Sequence, residues 1–209
     1  MAAGAATAAG VLEASRPGLF EPYLGHLNPY LAVVLASALG ALSIWYLQSH
    51  TWFRLFRSET IGEGVLLAGG GATVFAFLMI VVDLGRPFPK TLNVPLPEAW
   101  LFYPAMAYLV EMALHATPLA LLLGAGSLFK QAWAPALLWS SIFVTALLEP
   151  SLQLGFGLSA LVGFHVFAFN LFQLWLFRRY DLVSMLSARL AYYLEWHILW
   201  GHLRLQLLS

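Results

Sequence analysis

Six runs of apolar residues, each close to the length that crosses a bilayer, leave this chain few folds to choose from. A hydrocarbon core of about 30 Å is spanned by about 20 residues of helix, and a backbone inside it must satisfy its own hydrogen bonds. The runs extend roughly over Pro29 to Leu47, Ile61 to Val82, Trp100 to Leu123, Ala132 to Leu148, Leu152 to Phe177 and Ser184 to Leu207. They predict an all-α, polytopic membrane bundle of about six helices. Composition agrees: 61% of residues are hydrophobic, 10% are charged and mean hydropathy is +0.79, whereas soluble domains carry about 25% charge. Ten acidic and ten basic residues cannot coat a soluble protein of this size. A formal net charge of zero also argues against a nucleic-acid binder. The absence of cysteine removes disulfide frameworks, thiolate zinc sites, cysteine-ligated clusters and a cysteine nucleophile.

Residues 1–28 read as an N-terminal tail ending in an interfacial segment, Leu19 to Leu27, and residues 29–209 as one transmembrane domain with no internal repeat. The loops after the first, third and fifth runs carry Arg54, Arg57, Lys130, Arg178 and Arg179, against Arg16, Arg86, Lys90 and Arg204 on the other side. That bias favours the first set as cytoplasmic, with both termini outside. Trp45, Trp52, Trp100, Trp133 and Trp175 fall near the ends of runs, where interfacial anchors belong.

Ionisable side chains inside a span are costly, so each is a functional candidate. Glu111 and His115 lie mid-way along the third run, four residues apart and on one helical face, a spacing that suits a metal pair or a carboxylate–imidazole contact that simply locks the bundle. Glu149 precedes Pro150, where an abrupt hairpin between the fourth and fifth runs is expected with Glu149 at its tip. The fifth run adds His165, Asn170 and Gln173, the two amides sharing a face as interhelical glue would. In the last run Arg189, Tyr193, His197 and Arg204 form one stripe and Glu195 and His202 another. Arg189, His202 and Arg204 are close enough to the ends to snorkel, whereas Glu195 and His197 lie deeper. The Gly69-Gly70-Gly71 run, with Gly62 and Gly64, is read as helix packing.

Imidazoles and carboxylates in an apolar bundle suit a divalent metal such as zinc, with Glu111, His115, His165 and Glu149 as ligands. They equally suit a carboxylate-activated water, with imidazole and amide partners. On the second reading Glu111 is the base, and His115, His165, His197 and Asn170 complete a peptidase site. The set resembles the CAAX-processing and bacteriocin-processing type of intramembrane protease, whose motifs are Glu-Glu-x-x-x-Arg, Phe-x-x-x-His and His-x-x-x-Asn. Val110-Glu111 keeps one glutamate, Leu161 and His165 stand nearest the second motif, and His165 with Asn170 resembles the third with one extra residue. The resemblance implies an all-helical glutamate-dependent peptidase acting on a membrane-protein substrate. A second stretch, Asp83-Leu84-Gly85-Arg86-Pro87, is similar to the Asp-Leu-Gly-Arg-Pro of the polysulfide-reductase membrane-subunit family, which implies quinone chemistry without haem. Read locally, Asp83 and Arg86 pair at an interface. Two further alternatives remain: a b-type haem between two of His115, His165 and His197, and a non-catalytic subunit of a larger membrane complex.

Overall fold

A computed structural model describes residues 1–127, 134–155 and 159–207. Lys130 and Trp133, used above for orientation and anchoring, lie outside the described residues. The described residues form helices joined by turns: α1 (Ala2–Ser15), α2 (Glu21–Leu24), α3 (Pro29–Ser49), α4 (Ile61–Gly85), α5 (Ala99–Ser127), α6 (Ala134–Gly155), α7 (Ala160–Arg179) and α8 (182–207). A single 3₁₀ turn, Lys90–Leu92, interrupts the connection between α4 and α5. Helices α3 to α7 are long and apolar enough to cross a membrane, and the chain is a multi-pass membrane protein whose outer surface meets lipid. By length α8 matches them, at roughly 40 Å for 1.5 Å per residue, but it carries Arg189, Glu195 and Arg204. Those charges are tolerated because α8 is central, packed against α4, α5 and α7.

Three of the described helices begin where a side chain supplies an acceptor for a free backbone N–H. Asn28 accepts from the Leu31 N–H at 3.1 Å ahead of Pro29, Ser159 from Val162 at 3.4 Å and Asp181 from Ser184 at 2.8 Å, each an N-cap. On α4 the burial pattern inverts that of a soluble helix. Ala68, Ala72 and Ala76 face inward, while Leu66, Val74, Phe77 and Leu84 face outward, because lipid solvates large apolar groups and small ones let helices approach. Of the glycines on α4, Gly64 and Gly71 make such approaches, to Ser184 and to the Phe172 ring, whereas Gly62, Gly69 and Gly70 face open space.

Two expectations need correction. The first residues are not a frayed tail: Ala5, Ala8, Ala9 and Leu12 recur at helical spacing and are buried, so α1 lies against α3 and α5. An Arg16–Glu98 ion pair of 2.9 Å ties its end to the start of α5. Nor does the chain turn at Glu149-Pro150. Helix α6 continues through Pro150 to Gly155, so Glu149 lies within a helix and not at a hairpin tip. Proline removes the N–H that would bond the carbonyl four residues earlier. Here that carbonyl, on Ala146, instead accepts from Asn170 Nδ2 of α7 at 3.3 Å, and the helix runs on.

Candidate functional site

Four helices each contribute a buried polar group to one cluster. Helix α5 loosens into a π-helical turn over Glu111–Ala116, and α8 does so over Tyr193–Trp200; such bulges often accompany functional sites. The first carries Glu111 and His115, and the second begins one turn beyond Arg189. Helix α6 brings Glu149, and α7 brings Asn170 and Gln173.

Arg189, 2% exposed, is the hub. Its Nε donates to Glu111 Oε1 at 2.8 Å, its Nη1 to Glu149 Oε1 at 3.1 Å and its Nη2 to Glu149 Oε2 at 2.9 Å. Nη2 also donates to Asn170 Oδ1 at 3.1 Å. The Phe169 and Tyr193 rings stand 5.4 and 5.7 Å from the guanidinium carbon, where their π faces favour a cation. Gln173 Nε2 donates to Glu111 Oε1 at 2.6 Å and to the Met185 carbonyl at 3.3 Å, and Gln153 Nε2 to Glu149 Oε1 at 3.1 Å. Both oxygens of Glu149 and one of Glu111 are therefore committed.

The other Glu111 oxygen meets only an imidazole. Oε2 lies 3.1 Å from His115 Nδ1, at ion-pair distance, and neither it, the ring nitrogens of His115 nor Gln173 Oε1 has a further hydrogen-bond partner, although all are buried. His115 Nε2 stands 4.0 Å from Glu149 Oε2. Buried polar atoms are nearly always paired, and these unpaired ones gather in the most charged part of the core.

The structure brings Glu111, His115, Glu149 and Asn170 together, but not the other two imidazoles. His165 lies within 3.3 Å of the Tyr192 hydroxyl through Nε2 and against Phe75. His197 stacks on Tyr103 at 4.6 Å and meets Tyr193 edge-on at 5.0 Å. Neither comes within ion-pair distance of Glu111 or Glu149. Asn170 belongs to the cluster, where its oxygen accepts from Arg189 and one N–H of its amide donates to the Ala146 carbonyl, so it positions those groups.

No family model, no curated protein and no solved structure matches this chain. The site is therefore read from its own geometry.

The donor set does not fit a metal. With His165 elsewhere and a guanidinium occupying three of four carboxylate oxygens, only Glu111 Oε2 and His115 remain. Among the described residues no group of three or more His, Asp or Glu side chains is placed to hold an ion. A haem between His165 and His197 fits no better, because both rings pack on Tyr192, at 5.9 and 6.3 Å between centroids. Its phenol sits where a macrocycle would lie.

Arg189 and Gln173 are the residues that sequence reading missed as site members. Arg189 was expected to snorkel and Gln173 to act as glue. The available signal was charge: two carboxylates inside spans need a buried cation, and Arg189 shares a stripe with Tyr193 and His197. Arg204, also expected to snorkel, is buried against Asp83. His202 does reach the surface, beside Gln206. Glu195 accepts from Thr73 Oγ1 at 2.8 Å and lies outside the cluster. Arg86 is exposed and is not the partner of Asp83.

Proposed function

We propose that this protein is a glutamate-dependent intramembrane peptidase in which Glu111 is the general base. The observation that carries the reading is the division of labour on Glu111: Oε1 is anchored by Arg189 and Gln173, while Oε2 meets only the His115 ring, at 3.1 Å. A carboxylate fixed through one oxygen, with the other facing a single imidazole, is set to take a proton from a water in a low-dielectric site. The hydroxide so formed adds to the scissile carbonyl carbon, and the proton passes to the departing amine as the C–N bond breaks. His115 is the donor left to stabilise the oxyanion. Arg189 offsets carboxylate charge and fixes Glu111, with Asn170 and Glu149 fixing Arg189 in turn.

A groove of about 700 Å³ on the flank of the bundle supports substrate entry from the bilayer, being lined by Ala41 of α3, Tyr108 and Met112 of α5 and Leu182 and Leu186 of α8. Met112 is next to Glu111, and Leu186 is three residues from Arg189. The similarity to the CAAX-processing and bacteriocin-processing proteases supports the same role for Glu111 and leaves the membrane-protein substrate unspecified.

The test uses purified protein in proteoliposomes with a quenched-fluorescent transmembrane peptide library. Wild type is expected to cleave members of it, and Glu111→Gln to lose at least about 100-fold in rate, in line with removal of a general base, while its unfolding midpoint stays high. Cleavage undiminished in E111Q overturns the proposal.

One observation favours a second reading: all three guanidinium nitrogens of Arg189 are engaged, as in a purely structural lock for a non-catalytic subunit. That reading expects no cleavage by wild type, and loss of co-purifying subunits when outward aromatics such as Phe77 are changed.

A further inference from the structure

At the end of the bundle where α4 begins and α7 ends, three arginines line one cavity, the guanidinium of Arg179 lying 5.6 Å from the centre of the Tyr180 ring. Arg57 comes from the α3–α4 connection and Arg178 and Arg179 from the last turn of α7, with Trp139 of α6 and Trp175 of α7 completing a space of about 330 Å³. Among the described residues that line it, none carries a carboxylate. Of the acids nearby, Glu59 is exposed and does not line the space, and two others are occupied elsewhere. Asp181 is fully buried and accepts from the Arg57 backbone N–H at 2.9 Å and from the Ser184 N–H and hydroxyl at 2.8 and 2.7 Å. Glu63 accepts from the Tyr180 hydroxyl at 2.9 Å.

Arg57 Nε is buried without a hydrogen-bond partner, while its Nη1 donates to the Arg179 carbonyl at 3.4 Å. A buried guanidinium N–H left unpaired, beside two like charges, calls for an anion with oxygen acceptors. The rest of the wall says what kind. Trp139 and Trp175, 54% and 37% exposed, stand at the ends of spans as headgroup-level aromatics do. One and two turns along α6 from Trp139, Phe143 and Leu147 face outward, which gives acyl chains an apolar path away from the charges. A zwitterionic headgroup would place its own cation among three guanidiniums.

We propose that this cavity binds the phosphodiester headgroup of an anionic phospholipid, in the leaflet on the side of the α3–α4 connection. Arg57, Arg178 and Arg179 hold the phosphate, and the two tryptophans hold the glycerol region.

The test titrates the full chain, in a neutral maltoside detergent, with dioleoylphosphatidylglycerol and separately with dioleoylphosphatidylcholine, counting bound lipid by native mass spectrometry. Inorganic phosphate serves as competitor. The expected result is at least about tenfold tighter binding of the phosphatidylglycerol, since each basic side chain near an anionic headgroup contributes a severalfold factor. That preference is lost in R57Q/R178Q/R179Q, and phosphate at equal concentration does not displace the lipid. Equal affinity for the two lipids overturns the proposal, and so does a preference that survives the triple substitution. Displacement by phosphate also overturns it, as it marks a free-anion site. The double variant R178Q/R179Q leaves the α3–α4 connection untouched and so guards against a folding failure; it is expected to lose at least about threefold in preference, and an unchanged preference is again fatal.

Discussion

Arg189 reaches two carboxylates on two other helices, so its removal strands both charges where water cannot follow. Breaking a buried ion pair from one side costs about 3–5 kcal/mol, and Arg189→Met is expected to lower stability by that order in detergent-based thermal unfolding. Arg189→Lys keeps the charge but not the fork that meets Nε and Nη partners at once, and should fall between wild type and Met. The triple variant E111Q/E149Q/R189M removes charge on both sides and is expected to recover most of the loss. If it is no more stable than R189M alone, the cluster is not held together by charge. Glu111, His115, Glu149 and Asn170 were legible as site members because ionisable and amide groups inside spans stand out against an apolar background. His165 and His197 stood out equally and are not there. Depth along a span is readable from sequence, but which way a side chain faces across the bundle depends on helix rotation, and apolar residues on every side of a membrane helix hide that rotation.

Proline in the middle of α6 shows what a whole element conceals from its own sequence. Pro150 reads as a corner because it ends helices in water, where the freed carbonyl turns to solvent. In the bundle the Ala146 carbonyl finds Asn170 on α7 at 3.3 Å, a partner 24 residues away that no local signal announces. Asn170→Ala is therefore expected to cost about 1–3 kcal/mol by leaving buried acceptor capacity unmet. Part of that cost should vanish in a Pro150→Ala background, where residue 150 regains an N–H for Ala146. A double-mutant cycle on unfolding free energies should show coupling of about 1 kcal/mol; zero coupling would leave the continuity of α6 without its proposed cause. The first three apolar runs were legible to within a few residues, since hydropathy and length decide which segments enter a bilayer, whereas the boundary between the fourth and fifth was misplaced by seven or eight residues because Pro150 was read as a corner. The packing of α1 was not, because an alanine stripe is only weakly hydrophobic and becomes informative once small residues are known to face inward, as they do on α4.

At the scale of the whole molecule, the last helix is fastened to the bundle at both ends and at its middle. Asp181 caps its start while accepting from Arg57, Arg189 grips its middle, and Arg204 closes its far end. Arg204 donates to the two oxygens of Asp83 at 2.8 and 3.1 Å, to Asn93 Oδ1 at 2.9 Å and to the Phe88 carbonyl. Trp200 Nε1 and the Phe88 N–H add donors to Asp83 at 2.7 and 2.8 Å. The connection between α4 and α5 is thereby folded over the end of α8, with Asn93 Nδ2 reaching the His197 carbonyl at 3.3 Å. Asp83 thus has a structural assignment that needs no quinone, and the neighbouring Arg86, exposed, takes no part in it. Asp83→Asn and Arg204→Met are each expected to cost about 3 kcal/mol or more and to speed proteolysis between residues 86 and 98. Arg86→Gln, like most surface changes, should stay within about 0.5 kcal/mol of wild type. A stability loss in R86Q matching that of D83N would mean that the two act as a pair, as their spacing in sequence invites one to read. With R86Q silent and R204M damaging, the partner of Asp83 is the one more than a hundred residues away, and the Asp-Leu-Gly-Arg-Pro stretch is a clasp for the last helix.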